Sequence, residues 1–215
     1  MGCVRSQVQV LSPRRSSVGH GMKEMQDLKI LLIQVREDAI KDHEFDVVLR
    51  NSGLSPEQFV RFDALADVSF ELKELEQYNA VFIGGSAHSV LDQHQYMPFL
   101  KQVVVFCKEQ DIPFLGLCYG FQIAVIAFGG EMMEDKEHAE TGTYTMYKLP
   151  EGENDPVVGG LPQEFRAACG RKDRAKVLPE GMVNMIKSDN CPYHFAKFPG
   201  TRFYGVQFHP ELWRK

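Results

Sequence analysis

Apolar and polar positions repeat with two periods along this chain, and the switches between them outline its architecture. Lys29-Ile30-Leu31-Leu32-Ile33-Gln34-Val35 is a nearly unbroken apolar run, as expected of a strand covered on both faces. Phe45, Val48 and Leu49 then recur at helical spacing and mark one face of a helix that Gly53 ends. Ser55-Pro56-Glu57 opens a turn or short helix, residues 59–62 predict a second strand, and residues 80–83 a third. Met97, Leu100, Val103, Val104 and Cys107 return to helical spacing, and Pro113-Phe114-Leu115 leads into a fourth strand. Such alternation predicts parallel crossover units.

Beyond Phe128 the pattern changes. Gly129-Gly130 ends a helix, and residues 141–149, 183–187, 193–198 and 203–208 read as strands separated by Pro, Gly and Asn signals. The expected fold class is therefore α/β: a mostly parallel sheet with helices on both faces and an antiparallel extension in the C-terminal half.

The junction between the fourth strand and its helix carries chemistry. Gly116-Leu117-Cys118-Tyr119-Gly120-Phe121-Gln122 sets a cysteine where strand turns sharply into helix. The helix N-terminus favours thiolate over thiol, and the flanking glycines suit a turn in which two backbones meet too closely for side chains. A cysteine taken at random is more often a small core residue, but this context reverses that reading. A base and an orienting acid follow the last strand in His209-Pro210-Glu211. Residues two apart in extended chain share a face, which gives a Cys-His-acid set of Cys118, His209 and Glu211.

Composition narrows the rest. A chain of 215 residues suits one well-buried core, and 24 Lys and Arg against 29 Asp and Glu, a net charge of −5, leave no basic footprint for nucleic acid or an anionic membrane. No apolar stretch of about 20 residues predicts a membrane span. Five cysteines, an odd number with no C-x-x-C spacing, fit a reduced compartment, so a cytoplasmic location is expected. His88 and His94 lack a further ligand pair, and Cys169, Cys191 and His194 read as structural, so neither a metal nor a cofactor is expected. Residues 1–21 have no helical stripe and read as an extension outside the domain, disordered or an artefact of the gene model, with the domain spanning 22–215. Met1-Gly2-Cys3-Val4-Arg5-Ser6 also matches an N-myristoylation pattern.

The elbow at 116–122, Val206-Gln207-Phe208-His209-Pro210-Glu211 and Phe82-Ile83-Gly84-Gly85-Ser86 together resemble the class I glutamine amidotransferase domain, in particular stand-alone members similar to the amidotransferase part of GMP synthase. The resemblance implies a flavodoxin-like fold and cleavage of the glutamine side-chain amide through a thioester on Cys118. It also implies oxyanion donors at the backbone N–H groups of Gly85 and Tyr119, and substrate contacts from Gln122 and Glu140. Two departures stand out. Gly170-Arg171-Lys172-Asp173 precedes Leu178-Pro179 where relatives commonly show a Ser-His-x-Asp-like segment, and the chain stops near Trp213 where they continue into a helix. Glutamine or a γ-glutamyl compound is the expected ligand, with a synthetase or other ammonia-accepting protein, or a second copy of the chain, as partner. Hydrolysis of γ-glutamyl peptides, and a catalytically idle binding module of the same fold, are the competing readings.

Overall fold

A computed structural model of the chain describes residues 25–66 and 70–212. The expectations for residues 1–21 and for the chain end at 213–215 fall outside them. In chain order the elements are β1 (Ile30–Gln34), α1 (Asp38–Ser52), β2 (Phe59–Asp63), β3 (Ala80–Ile83), α2 (Met97–Glu109), β4 (Phe114–Leu117), α3 (Tyr119–Ala127), β5 (Glu131–Glu134), β6 (Glu140–Lys148), β7 (Glu164–Arg171), β8 (Asp173–Val177), β9 (Val183–Lys187), β10 (Phe195–Lys197) and β11 (Phe203–Val206), with short 3-10 turns between them.

Nine of these strands form one sheet in the order β2-β1-β3-β4-β11-β10-β9-β6-β7. The first five of that order pair in parallel, and the pairs from β11 to β7 are antiparallel. The parallel part has the 2-1-3-4-5 order of flavodoxin-like folds, which brings ligands to the carboxyl ends of the strands. Alternation within the buried strands divides the core. Leu31, Ile33, Val81 and Ile83 pack with α2 and α3 on one face, whereas Ile30, Leu32, Ala80 and Phe82 pack with α1 residues on the other. Both faces of the parallel strands are thereby covered, as their unbroken apolar runs require.

The sequence expectations for the parallel half hold to within a residue or two, and Gly53, at φ 73°, ends α1. Three strands were not anticipated: β5, β7 and β8. β5 and β8 pair in a small two-stranded sheet. β11 stops at Val206, two residues short of expectation, and Glu211 lies in a 3-10 turn at Pro210–Leu212. The pairing of His209 with Glu211 therefore does not come from extended chain. Among the described residues no helix is long and apolar enough to cross a membrane.

Candidate active site

Cys118 is the single residue between β4 and α3, and its backbone turns through φ 48° and ψ −93°. A side chain in that region costs about 1–3 kcal/mol and persists only where its surroundings enforce it. Here they do. The Cys118 N–H donates to the Val206 carbonyl at 2.7 Å, and the Gly120 N–H to the Gly84 carbonyl at 3.2 Å. A Cβ on Gly116 would lie 2.5 Å from the Gly120 carbonyl carbon, and one on Gly120 would lie 2.3 Å from the Ile83 carbonyl oxygen. Backbone cannot give way as a flexible side chain can, so both positions need glycine for space.

His209 is anchored by a strand the sequence did not announce. Its N–H donates to the Ala168 carbonyl of β7 at 2.8 Å, and its Nδ1 pairs with Glu211 Oε1 at 2.7 Å. The turn carrying Glu211 is tied to α1 by Asn51, whose Nδ2 donates to the Glu211 carbonyl at 2.8 Å. Glu211 Oε2 is buried with no hydrogen-bond partner among the described residues, so the imidazole is the group that answers this carboxylate. Burial pushes the His209 pKa down, but the Cys118 sulfur and Glu211, by charge and hydrogen bonding, outweigh it and raise it well above the ordinary histidine value. Cys118, His209 and Glu211 thus form one electrostatic unit.

A buried amide relay supports the sulfur from another side. Gln207 Nε2 donates to Cys118 Sγ at 3.4 Å, while Gln122 Nε2 donates to Gln207 Oε1 and to the Asp173 carbonyl, each at 3.1 Å. Gln122 therefore reaches toward Cys118 through Gln207. Gln207 itself was not singled out from sequence, although an amide within the apolar run Phe203–Val206 and Phe208 was a readable signal.

The two N–H groups expected to receive an oxyanion stand differently. That of Tyr119 heads α3, where the first N–H groups lack intrahelical partners. That of Gly85 donates to Glu44 Oε1 at 2.9 Å. Glu44, on the buried face of α1, also accepts from Arg36 Nε at 2.7 Å and from Gln34 Nε2 at 3.1 Å. A carboxylate three and four residues before buried Val47 and Val48 was the sequence signal for it.

Glu140 is fully buried and faces Arg171 across the β6–β7 register. Arg171 donates to Glu140 Oε2 through Nε at 3.0 Å and pairs through Nη2 at 2.9 Å; His194 Nε2 lies 2.9 Å from the same oxygen, and Ser188 Oγ donates to Oε1 at 2.5 Å. Burial works to raise the Glu140 pKa, but His194, Ser188 and Arg171 hold it below the usual carboxylate range. The arginine that departs from the Ser-His-x-Asp pattern is thus the counter-ion of Glu140. Glu140, Cys169 and His194 have ligand atoms within 4.8 Å of one another. They do not suit a metal, because Arg171 already neutralises the carboxylate and burial, with the charge of Glu140, pushes the Cys169 thiol up. Burial likewise raises the Cys107 thiol, inside α2.

A cavity of about 400 Å³ opens beside His209 and Glu211, walled also by Arg36, Glu44, Ser86 and Gly170. It contains both signs of charge and reaches the imidazole, while Cys118 is not among its walls.

The family model for glutamine amidotransferase class-I matches residues 48–214. The glutamine-hydrolyzing GMP synthase of Thermosipho melanesiensis is 35% identical over 142 residues, 66% of this chain and 26% of that protein. In Methanocaldococcus jannaschii, one subunit of a glutamine-hydrolyzing GMP synthase is 39% identical over 112 residues, 52% of this chain and 57% of that one. The match thus spans about a quarter to a little over half of these relatives' length. Among solved structures, a glutamine amidotransferase from Thermotoga maritima aligns with a TM-score of 0.68 at 21% identity, covering 85% of this chain and 76% of that one. One from Methylobacillus flagellatus aligns with a TM-score of 0.69 at 20% identity, over 86% of this chain and 71% of that one. These two likenesses show the fold.

Proposed function

Because the chain belongs to the class I glutamine amidotransferase family, we propose that it cleaves the side-chain amide of glutamine through a thioester on Cys118. The sulfur gives its proton to His209 Nε2 and attacks the side-chain carbonyl carbon. Negative charge moves onto the oxygen, where the N–H groups of Tyr119 and Gly85 receive it. The C–N bond then breaks, and His209 returns the proton to the departing nitrogen, which leaves as ammonia. In the second half a water gives a proton to His209 and attacks the thioester carbon. The C–S bond breaks, the thiol re-forms with that proton, and glutamate leaves.

Glu211 keeps the imidazole oriented and stabilises its protonated form, in the manner of a triad acid. Gln207, held by Gln122, keeps an amide donor on the sulfur, and the Glu140–Arg171 pair fixes the β6–β7 wall. The observation that carries this reading is the line from Glu211 through His209 to a sulfur on a strained elbow. Relatives named as one subunit of a GMP synthase support a separate synthetase protein as the ammonia acceptor. Cys107, Cys118, Cys169 and Cys191 are free thiols, which supports a reducing, cytoplasmic setting.

The test is release of ammonia from glutamine by the purified chain, set beside release of free amines from γ-glutamyl dipeptides. Ammonia from glutamine, at the higher kcat/KM, is the expected result. Turnover of the dipeptides without turnover of glutamine would assign the site to γ-glutamyl peptides. Turnover of neither would leave a binding module.

A further inference from the structure

The Gly85 N–H cannot serve an oxyanion while it serves Glu44. The Glu44 carboxylate is 4% exposed and takes three donors: the Gly85 N–H at 2.9 Å, Arg36 Nε at 2.7 Å and Gln34 Nε2 at 3.1 Å. It also lies so close to the loop that a Cβ on Gly84 would sit 2.5 Å from its Oε1. The Arg36 guanidinium covers the same segment, with Nη2 2.3 Å from where a Gly85 Cβ would stand and His209 Cε1 3.3 Å from it. The Gly84–Gly85 loop, Arg36 and the catalytic imidazole therefore meet at one point.

Two consequences oppose turnover in this arrangement. An N–H committed to a carboxylate gives little to a second acceptor. A buried negative charge beside that N–H also repels the negative charge that develops on the substrate oxygen, where little water screens it. An amide donor serving the reaction should face an empty position, and this one faces an anion.

We propose that Glu44 is a built-in block on the Gly85 donor, held by Arg36 and Gln34, and that the chain reaches full activity only when Glu44 withdraws. The inference rests on the glutamine-hydrolysing reading above and adds a regulatory residue to it. Glu44 touches no reacting atom and acts through Gly85, as a positioning residue. Withdrawal is the step a bound ligand would favour. A substrate carboxylate can compete for Arg36 in the shared cavity, and the free Gly85 N–H then turns to the oxyanion.

The experiment compares the purified wild-type chain with Glu44→Gln, which keeps the shape and removes the charge, and Glu44→Asp, which keeps the charge and shortens its reach. Ammonia release from glutamine is measured alongside thermal melting. An oxyanion donor is worth about 10²–10³ in kcat, so partial recovery of one predicts a rise in kcat of at least about 10-fold in either folded variant, with a much smaller change in KM. Equal or lower kcat in a folded variant, while the wild-type chain turns over glutamine, overturns the block and leaves the amidotransferase reading standing. Activity in a variant where the wild-type chain has none supports both. Absence of ammonia from all three chains, with no labelling of Cys118 by a diazoketone analogue of glutamine, removes the parent reading and the block together.

Discussion

At the residue scale Glu211, together with the Cys118 sulfur, sets how firmly His209 holds its proton. The imidazole's pKa is raised in the folded state, so its pairing stabilises the fold fully below about pH 6.5, the ordinary histidine value. That contribution is lost as pH rises through the raised folded value. In the proposed turnover the imidazolium must still hold its proton when the nitrogen leaves. The rate should therefore fall on the alkaline side, as that proton is lost. Glu211→Gln keeps the shape and removes the charge, so the alkaline limb of kcat/KM should move to lower pH. kcat should also drop by about 10²-fold or more, with a smaller change in KM. A variant with an unmoved limb and full kcat would leave Glu211 as a structural residue and the site as a dyad. The residues nearest the chemistry were legible in the sequence because their types and spacing are chemically unusual: Cys118 between glycines, and His209 beside Glu211. Glu44 and Gln207 were legible only as polar residues on apolar faces, a signal that marks a buried position without saying what it holds, and tertiary contact alone reveals that.

At the element scale the elbow is a packing problem as much as a chemical one. β3, β4 and α3 approach through backbone at Gly120, and the nearest neighbour of an added Cβ would be the Ile83 carbonyl oxygen at 2.3 Å. Gly120→Ala should therefore destabilise the fold by about 3 kcal/mol and displace Cys118 relative to His209. Thermal and urea unfolding check the first effect, and an unchanged melting temperature would contradict it. The elements themselves divide by legibility. β1, β3 and β4 are short apolar runs buried on both faces, and α2 has a clean apolar stripe, so hydrophobic pattern alone predicts them. β7 and β8 mix arginine, lysine and small residues on partly exposed strands, and β5 carries glutamate at both ends. Their pairing is set by partners far along the chain, which no local period records. One cost of missing β7 was the anchor of His209 at Ala168; the other was the register that brings Glu140 to Arg171.

At the scale of the whole molecule, the parallel strands deliver Gly85, Cys118 and, beyond β11, His209 to one carboxyl edge, while β7 of the antiparallel extension holds His209 through Ala168 and β8 of the small sheet holds Gln122 through the Asp173 carbonyl. The two halves of the chain, with different hydrophobic patterns, thus supply different parts of one site: the proposed nucleophile comes from the first and its proposed base and acid from the second. The claim at the centre is that a covalent γ-glutamyl group rests on Cys118 during turnover. Acid quenching of the chain in steady state with glutamine, followed by peptide mass spectrometry, tests it directly. A γ-glutamyl adduct on the peptide containing Cys118 is expected. It should be absent from those containing Cys107, Cys169 and Cys191, and Cys118→Ala should lose both the adduct and at least about 10³-fold in kcat. Sustained ammonia release by a folded Cys118→Ala chain, or an adduct on another residue, would contradict the account.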